Sequence, residues 1–370
     1  MARFAFWLSV SFVAFSYLGY PALLAIWSAL RPKPVRKAPL FPFVSIVVSA
    51  YNSCNYVERK LTNLLSEIDY PDDQYEVILV SDGSNDGTLE AAQSIVDPRL
   101  RVFTLPVRSG KPTALNLAVK EARGEIVVFN DMRQTMAPSA VRELVANFND
   151  PAVAAVTGEM TLADAEGHLR PQLGIYYRYE HWIRRKESEI YSMIGSAGSF
   201  SAIRRSLFQP LPRKVILDDV YTPMQIVLRG YRTVFDATAL AYDPHDQRSE
   251  FRRKLRTLTG NYQILLLIPA ILTPRNPLLL LYIFHKIFRL IVPFFLMATF
   301  VANLFLRTGF YGFTLAAQVL FCLMVLGAPW LRKLPAIGTI AASGSMFLQA
   351  NCAALFGLVF FLRRKWDIWV

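Results

Sequence analysis

Four carboxylates and a lysine stand where a chain would put groups meant to react. Asp82 closes the apolar run YEVILVSD (75–82), Asp131 closes EIVVFND (125–131), Asp218 and Asp219 follow Val215-Ile216-Leu217, and Lys111 follows Gly110 just ahead of TALN (113–116). A carboxylate left at the end of a buried strand is a hard oxygen ligand, suited to Mg2+ or Mn2+ bridging a diphosphate. A lysine beside a flexible glycine at a helix start can approach a phosphate. A carboxylate held beside a like charge near apolar surface makes a good base for deprotonating a hydroxyl, which suits the Asp218-Asp219 pair. Each feature also has an ordinary structural use. Asp86 or Ser84 would cap the helix after the GSNDGT turn, Lys111 would simply open a helix, and adjacent acids are common helix caps. The GxxxxGK[ST] spacing of a P-loop is absent.

The elements that carry these groups read as short β-rich runs alternating with amphipathic helices. FVSIVVSA (43–50) is followed by a helical pattern over about 54–69, then by YEVILVSD, a helix after the turn, the strand-like LRVFTL, a helix across 113–122 and EIVVFND. Continuous apolar strands separated by helices imply a parallel sheet covered on both faces. In such sheets the ligand crevice lies beyond the carboxyl ends of the strands, so Tyr51-Asn52, Ser81-Asp82 and Asn130-Asp131 should converge there.

Composition places this α/β unit between membrane segments. Of 370 residues 53% are hydrophobic, and the mean hydropathy is +0.30, too apolar for a soluble domain of that length. Residues 4–30 form an uncharged stretch, longer than the roughly 20 residues of a spanning helix and longer than a signal-peptide core, so they read as an uncleaved anchor. Arg31, Lys33, Arg36 and Lys37 follow it and set the domain on the cytoplasmic side. The expected organisation is an anchor at 1–30, a Pro-rich linker at 31–42, a cytoplasmic domain at 43–250, an amphipathic interfacial helix at 251–275 and a C-terminal transmembrane region at 276–370. Within the last, spans are expected near 281–306 and 311–331. The stretch 338–362 holds Gly338, Gly344, Gln349 and Asn351 and reads as a weak span or a re-entrant or interfacial segment. The net charge of +12 clusters beside the apolar runs, at Arg31–Lys37, Arg252–Arg256, Arg332-Lys333 and Arg363–Lys365. Membrane topology explains that placement, and no nucleic-acid recognition module accompanies it. Cys54, Cys322 and Cys352 form no CxxC or metal-like spacing.

Taken in order, seven segments resemble glycosyltransferase family 2, in particular its processive membrane-bound branch of hyaluronan, chitin and cellulose synthases. They are VSAYNSCNYV (within 47–57), LVSDGSNDGT (79–88), SGKPTALN (109–116), VFNDMRQ (128–134), GSAGSFSAIRR (195–205), LDDVYTPMQIVLRGYR (217–232) and RKLRTLTGNYQ (253–263). The resemblance implies a mixed, mostly parallel α/β sheet domain of the GT-A type with transmembrane helices, an inverting single displacement and a divalent cation. By position, it implies that Asp82 contacts the nucleoside, that Asp131 meets the metal and diphosphate, and that Asp219 is the catalytic base. Tyr51, Asn52, Lys111, Asn130, Arg253 and Arg256 would lie along the donor, while Gly195, Ser196, Gly198 and Asp218 would line the acceptor path. The implied donor is a nucleotide-sugar, by family habit a UDP-sugar. The implied acceptor is a growing polysaccharide at the membrane, and the implied location is a bacterial inner membrane.

Two departures qualify the resemblance. The family's Asp-x-Asp metal motif is Asp131-Met132-Arg133 here, and its Gln-x-x-Arg-Trp is Arg253-Lys254-Leu255-Arg256-Thr257, which keeps the arginine and lacks the tryptophan. Trp182, Trp366 and Trp369 are other candidate aromatic platforms. Single-sugar transfer to a lipid-linked acceptor and an inactive scaffold of an export complex are the competing readings. A transporter is disfavoured because His285, Lys286 and Arg289 sit near one end of a span and read as interfacial.

Overall fold

A computed structural model describes residues 1–163, 174–244, 250–331 and 335–366. Its centre is a sheet of eight strands: β1 Val44–Ala50, β2 Tyr75–Asp82, β3 Leu100–Leu105, β4 Ile126–Asn130, β5 Thr135–Met136, β6 Val153–Ala163, β7 Phe200–Arg204 and β8 Arg232–Pro244. The order is β3-β2-β1-β4-β7-β6-β8-β5. The first four strands are parallel, β7 runs antiparallel between β4 and β6, and β8 is parallel to β6. This is the expected mixed, mostly parallel sheet.

Alternation along the strands divides the apolar side chains between two cores. Ile46, Val48, Val77, Leu79, Ile126 and Val128 pack under the Cys54–Ser66 and Ala140–Ala146 helices. Val47, Ile78, Val80, Val127 and Phe129 face the Lys111–Glu121, Asp218–Leu228 and Glu250–Leu267 helices. The second core does not stop at the domain. It continues through Tyr20 and Leu24 of the N-terminal helix and through Leu281 and Tyr282, so one face of the sheet is welded to the apolar helices. The 31–42 segment is also tied down: Lys33 donates its N–H to Glu189 O at 2.7 Å, and Ala38 donates to Ala146 O at 3.2 Å.

Among the described residues, three helical stretches are long and apolar enough to cross a membrane: Ala2–Leu30, Leu279–Leu306 and Ile337–Leu362. The first two each contain a π-turn, at Phe15–Gly19 and Ile283–Ile287. They pack together through aromatic rings, with Phe12 stacked on Phe295 at 4.1 Å between centroids. The stretch expected at 311–331 forms the shorter Phe310–Leu326 helix, whereas the weaker-looking 338–362 lies within one continuous helix, Pro335–Leu362. Its small residues explain how it is accommodated. A Cβ on Gly344 would stand 3.0 Å from the Phe321 ring, and one on Gly357 would stand 3.1 Å from Thr259 N, so helices approach closely at both places. Arg332, Lys333 and Trp369 lie outside the described residues. Trp366 packs against the core.

Candidate active site

The carboxyl ends of β1, β2 and β4 open on one side of the sheet, and loops close that side into a crevice. After β1, Asn52 turns the chain with φ +45°, and its Oδ1 accepts the Asn85 N–H at 3.0 Å. Asp86 accepts N–H groups from Cys54 and Thr88, which ties the turn to the β1 loop, whereas the N-cap of the following helix is Gly87 and neither Asp86 nor Ser84. Tyr51 lies beneath the Arg108 guanidinium, 4.2 Å from ring centroid to carbon. Gly83 has φ +63°, and a Cβ there would stand 2.4 Å from Arg108 N. Only glycine lets these two loops meet.

Asp82 is buried and bonds with both oxygens to the loop that precedes Lys111. Oδ1 accepts Ser109 N–H at 2.6 Å and Oδ2 accepts Gly110 N–H at 2.8 Å. Charge-assisted bonds of this kind are about twice as strong as neutral ones, so Asp82 fixes the backbone from which Lys111 projects. The Lys111 ammonium then reaches across the crevice to Asp131 Oδ1 at 2.8 Å, to Gly198 O at 3.1 Å and toward Asp218 Oδ2 at 3.7 Å. Burial works against its charge, but Asp131, Asp218 and Asp219 together hold its pKa above the ordinary lysine value.

The far wall is the segment before β7. Ser199 O accepts both the Asp131 N–H at 3.1 Å and the Asn130 side-chain amide at 2.9 Å. Asn130 is enclosed, with its carbonyl oxygen accepting from Lys60, whereas the Asp131 carboxylate is 39% exposed and faces the opening. Ser196 donates its N–H to Asp219 O at 2.8 Å. Gly195 and Gly198 lie against Asp219, where a Cβ on Gly198 would stand 2.9 Å from the Asp219 Cβ. Burial, and then the Asp218 charge, push the Asp219 carboxyl up to about 6, against Arg184, Arg256 and Lys111, which pull it down. A carboxyl poised there is ionised at neutral pH yet still basic enough to take a proton.

The crevice continues into a cavity of about 190 Å3 lined by Thr157, His181, Arg184, Ala197, Ser199 and Arg253, among others. The sequence reading therefore places Asp82, Lys111, Asp131, Asp218, Asp219, Ser196, Gly195 and Gly198 in one connected constellation. Tyr51 and Asn52 stand at its rim, Arg253 lies in the adjoining cavity, and the Arg256 charge bears on Asp219. Asn130 sits in the wall. Trp182 is partly exposed on the Gly174–Ile190 helix.

Several contributors escaped that reading. Lys60 is fully buried behind Asn130 and donates to Gln134 O at 2.7 Å; burial pushes its ammonium down to about 7, with the Asp131 charge pulling the other way. Gln263 accepts Ile216 N–H at 2.9 Å and donates to Lys214 O at 2.8 Å, which ties the Glu250–Leu267 helix to the segment leading into Asp218. His181 and Arg184 come from the Gly174–Ile190 helix, which lies outside every motif. The one sequence signal for any of these was Lys60, a cation on the apolar stripe of its helix.

Asp131, already bonded to Lys111, is a sparse metal set. Among the described residues no group of three His, Cys, Asp or Glu side chains could hold an ion. Mg2+ and Mn2+ need only one or two carboxylates when substrate phosphates and water complete the shell. Asp131 fits a cation that arrives with a diphosphate, and does not fit one held by protein alone.

Sheet order, with the strand-end acids and the loop lysine at one edge, is that of a GT-A fold. The sequence profile of Glycosyl transferase family 2 matches residues 45–211. That segment, under half of the chain, is similar to the family, and the chain resembles polysaccharide synthases of it. Poly-beta-1,6-N-acetyl-D-glucosamine synthase of Staphylococcus aureus (strain MSSA476) is 25% identical over 263 residues, 68% of this chain and 63% of that protein. The match thus spans less than two thirds of that relative's length. "Probable glycosyltransferase YdaM" of Bacillus subtilis (strain 168) is 26% identical over 305 residues, 76% of this chain and 72% of that one. In fold, the chain resembles the mannosyltransferase PcManGT of Pyrobaculum calidifontis, solved with GDP-Man and Mn2+. The TM-score is 0.74 at 24% identity, covering 98% of this chain and 99% of that one.

Proposed function

We propose that this protein is an inverting, multi-pass membrane glycosyltransferase, with its catalytic domain on the cytoplasmic side of a bacterial inner membrane, that moves a sugar from a nucleotide-sugar to a growing polysaccharide. The observation that carries the reading is that Asp219, pushed up to about 6, and the Lys111 ammonium meet at Gly198, whose carbonyl oxygen accepts from the lysine at 3.1 Å. A base and a cation facing one cleft suit attack by a hydroxyl and departure of a diphosphate. Asp219 takes the proton from the acceptor hydroxyl. Lys111, held by Asp82 through the 109–110 backbone, stabilises charge on the leaving diphosphate. Tyr51 and Asn52 flank the nucleoside, and Arg256 with Arg253 faces the phosphates from the Glu250–Leu267 helix. Gly195, Ser196, Gly198 and Asp218 border the acceptor path. Asp131 would hold a Mg2+ or Mn2+ ion, which would neutralise the diphosphate as it leaves.

The names of the curated relatives and the ligand of the solved mannosyltransferase make UDP-N-acetylglucosamine and GDP-mannose the first donors to try. Addition of one sugar to a lipid-linked acceptor is the second reading, favoured by Thr257, which is exposed where the family carries its acceptor-stacking tryptophan. The test is nucleoside diphosphate release by the full chain in nanodiscs, across a donor panel with Mn2+ or Mg2+ and a membrane extract as acceptor source, beside Asp219→Asn. Release with one donor, lost in the variant, is expected, and product length then separates polymer from single addition. No release with any donor from folded protein would move the assignment to an inactive scaffold.

A further inference from the structure

Lys60 is a cation where its helix calls for an apolar side chain. Val57, Leu61 and Leu64 form the buried stripe of the Cys54–Ser66 helix, and Lys60 falls on that stripe at 1% exposed. Burying an ammonium is costly unless its N–H groups find acceptors. Among the described residues Lys60 forms no ion pair within 4.0 Å, so its acceptors are neutral. They are Asn130 Oδ1 and, at 2.7 Å, Gln134 O. These two groups straddle Asp131 in the chain.

An ammonium has donors only, so the Asn130 amide turns its oxygen to Lys60 and its NH2 away. That NH2 donates to Ser199 O at 2.9 Å, the same oxygen that accepts the Asp131 N–H at 3.1 Å. Beyond Asp131, Gln134 donates its N–H back to Asp131 O at 3.3 Å while its own carbonyl is held by Lys60. One turn further along the helix, Asn63 Oδ1 accepts the Met136 N–H at 2.8 Å, and the Asn63 amide donates to Met136 O at 3.0 Å. One helix face thus grips the backbone from 130 to 136, while the Asp131 carboxylate stays 39% exposed and meets Lys111. An apolar side chain at position 60 would leave the Asn130 amide free to turn over and set its carbonyl against Ser199 O.

We propose that Lys60 is a positioning residue, which fixes Asp131 for a metal-bound diphosphate through the Asn130 amide and the Gln134 carbonyl. Groups that orient a metal ligand without touching the metal are worth about 10–100-fold in metal affinity. What Asp131 holds rests on the transferase reading, whereas the grip on the 130–134 turn is argued from the bonds alone.

The test reads the turn and its ligand separately, on the full chain in nanodiscs and well below every variant's Tm. Lys60→Met keeps a long unbranched side chain and removes both bonds. Val57→Ala, one turn earlier on the same stripe, controls for lost stability. Hydrogen exchange of the 130–136 segment should accelerate in Lys60→Met and match wild type in Val57→Ala. By calorimetry, UDP or GDP with Mn2+ should bind Lys60→Met at least tenfold more weakly, with metal-free nucleotide affinity unchanged and Val57→Ala like wild type. Asn130→Ala should lose as much, and the double variant no more than either single one, because the two residues act in series. Should Lys60→Met not fold, Asn130→Ala carries the same two expectations. Wild-type exchange or wild-type Mn2+-nucleotide affinity in Lys60→Met overturns the proposal, as does an equal loss in Val57→Ala or a double variant whose losses add. If wild type itself binds no Mn2+ with nucleotide, the transferase reading fails, and the exchange result still decides the grip.

Discussion

Gly198 lies so close to Asp219 that a Cβ added to it would stand 2.9 Å from the Asp219 Cβ. The same glycine gives its carbonyl oxygen to Lys111 at 3.1 Å. The absence of one methyl group thus lets the basic carboxylate and the crevice lysine share one wall. Gly198→Ala should push Asp219 out of line and lower kcat/KM by roughly 10–100-fold, because a displacement on the order of 1 Å is enough for that. Far-UV circular dichroism should be unchanged. Activity within a factor of two of wild type would show that the site tolerates the shift.

The pH dependence follows from Asp219. The base works ionised, so kcat/KM should rise tenfold per pH unit below about 6 and level off above it. Lys111 pulls this carboxyl down, so Lys111→Met should move the rising limb to higher pH as well as lower the plateau. Stability has the opposite slope. The folded carboxyl holds its proton to about 6, above the ordinary value near 3.9. Its contribution is therefore complete below about pH 4 and is lost as pH rises through about 6. Asp219→Asn should raise stability by about 1–3 kcal/mol at pH 8 and leave it nearly unchanged at pH 4, a difference readable as Tm in detergent.

Asp82 tests whether a strand-end acid acts through backbone. Removing both acceptors in Asp82→Ala leaves two N–H groups of the 109–110 loop without their partner, at about 1–3 kcal/mol. Amide hydrogen exchange at Ser109 and Gly110 should accelerate, and nucleotide affinity should fall because Lys111 loses its support. Unchanged exchange with weakened nucleotide binding would instead leave Asp82 acting on the nucleoside directly.

The strand ends were legible because a parallel sheet covered on both faces writes its strands as unbroken apolar runs, and the first polar residue after each run marks the crevice. That logic located Asp82 and Asp131, and the paired acids after Leu217 located Asp219. It failed for Asn130, whose place one residue before Asp131 turns it into the wall, toward Lys60. It also had no access to Arg184, Gln263 or Gly198's contact with Asp219, since those depend on which helix packs where. The last helix misled for a related reason: Gly344 and Gly357 look like breaks in an apolar pattern, but in three dimensions they are where neighbouring helices come close.

Metal dependence should be conditional. Asp131 is already paired with Lys111, and among the described residues no group of three ligating side chains surrounds an ion, so calorimetry should detect little Mn2+ binding to the protein alone and clear binding once a nucleoside diphosphate is present. Asp131→Asn should abolish the second signal. Arg133, which replaces the family's second acid, would share the phosphate charge if it faces the donor; loss of activity on chelation together with full activity of Arg133→Ala would count against that role.

Gln263 links the membrane-side helix to the base. Its amide brackets the 214–217 segment, accepting from Ile216 N–H and donating to Lys214 O, while Gly260 lies where a Cβ would stand 2.5 Å from Leu217 Cγ. Helix and segment therefore move together, and Asp218 and Asp219 follow directly. Gln263→Leu keeps the volume and leaves one buried N–H and one C=O unmatched, a loss of about 1–3 kcal/mol. If Gln263 only stabilised the fold, kcat would match wild type at temperatures well below the lowered Tm. A positioning role instead lowers kcat there while nucleotide affinity holds, because Lys111 and Asp131 stand on other elements. Gln263→Glu, which keeps the acceptor and loses the donor, should fall between the two.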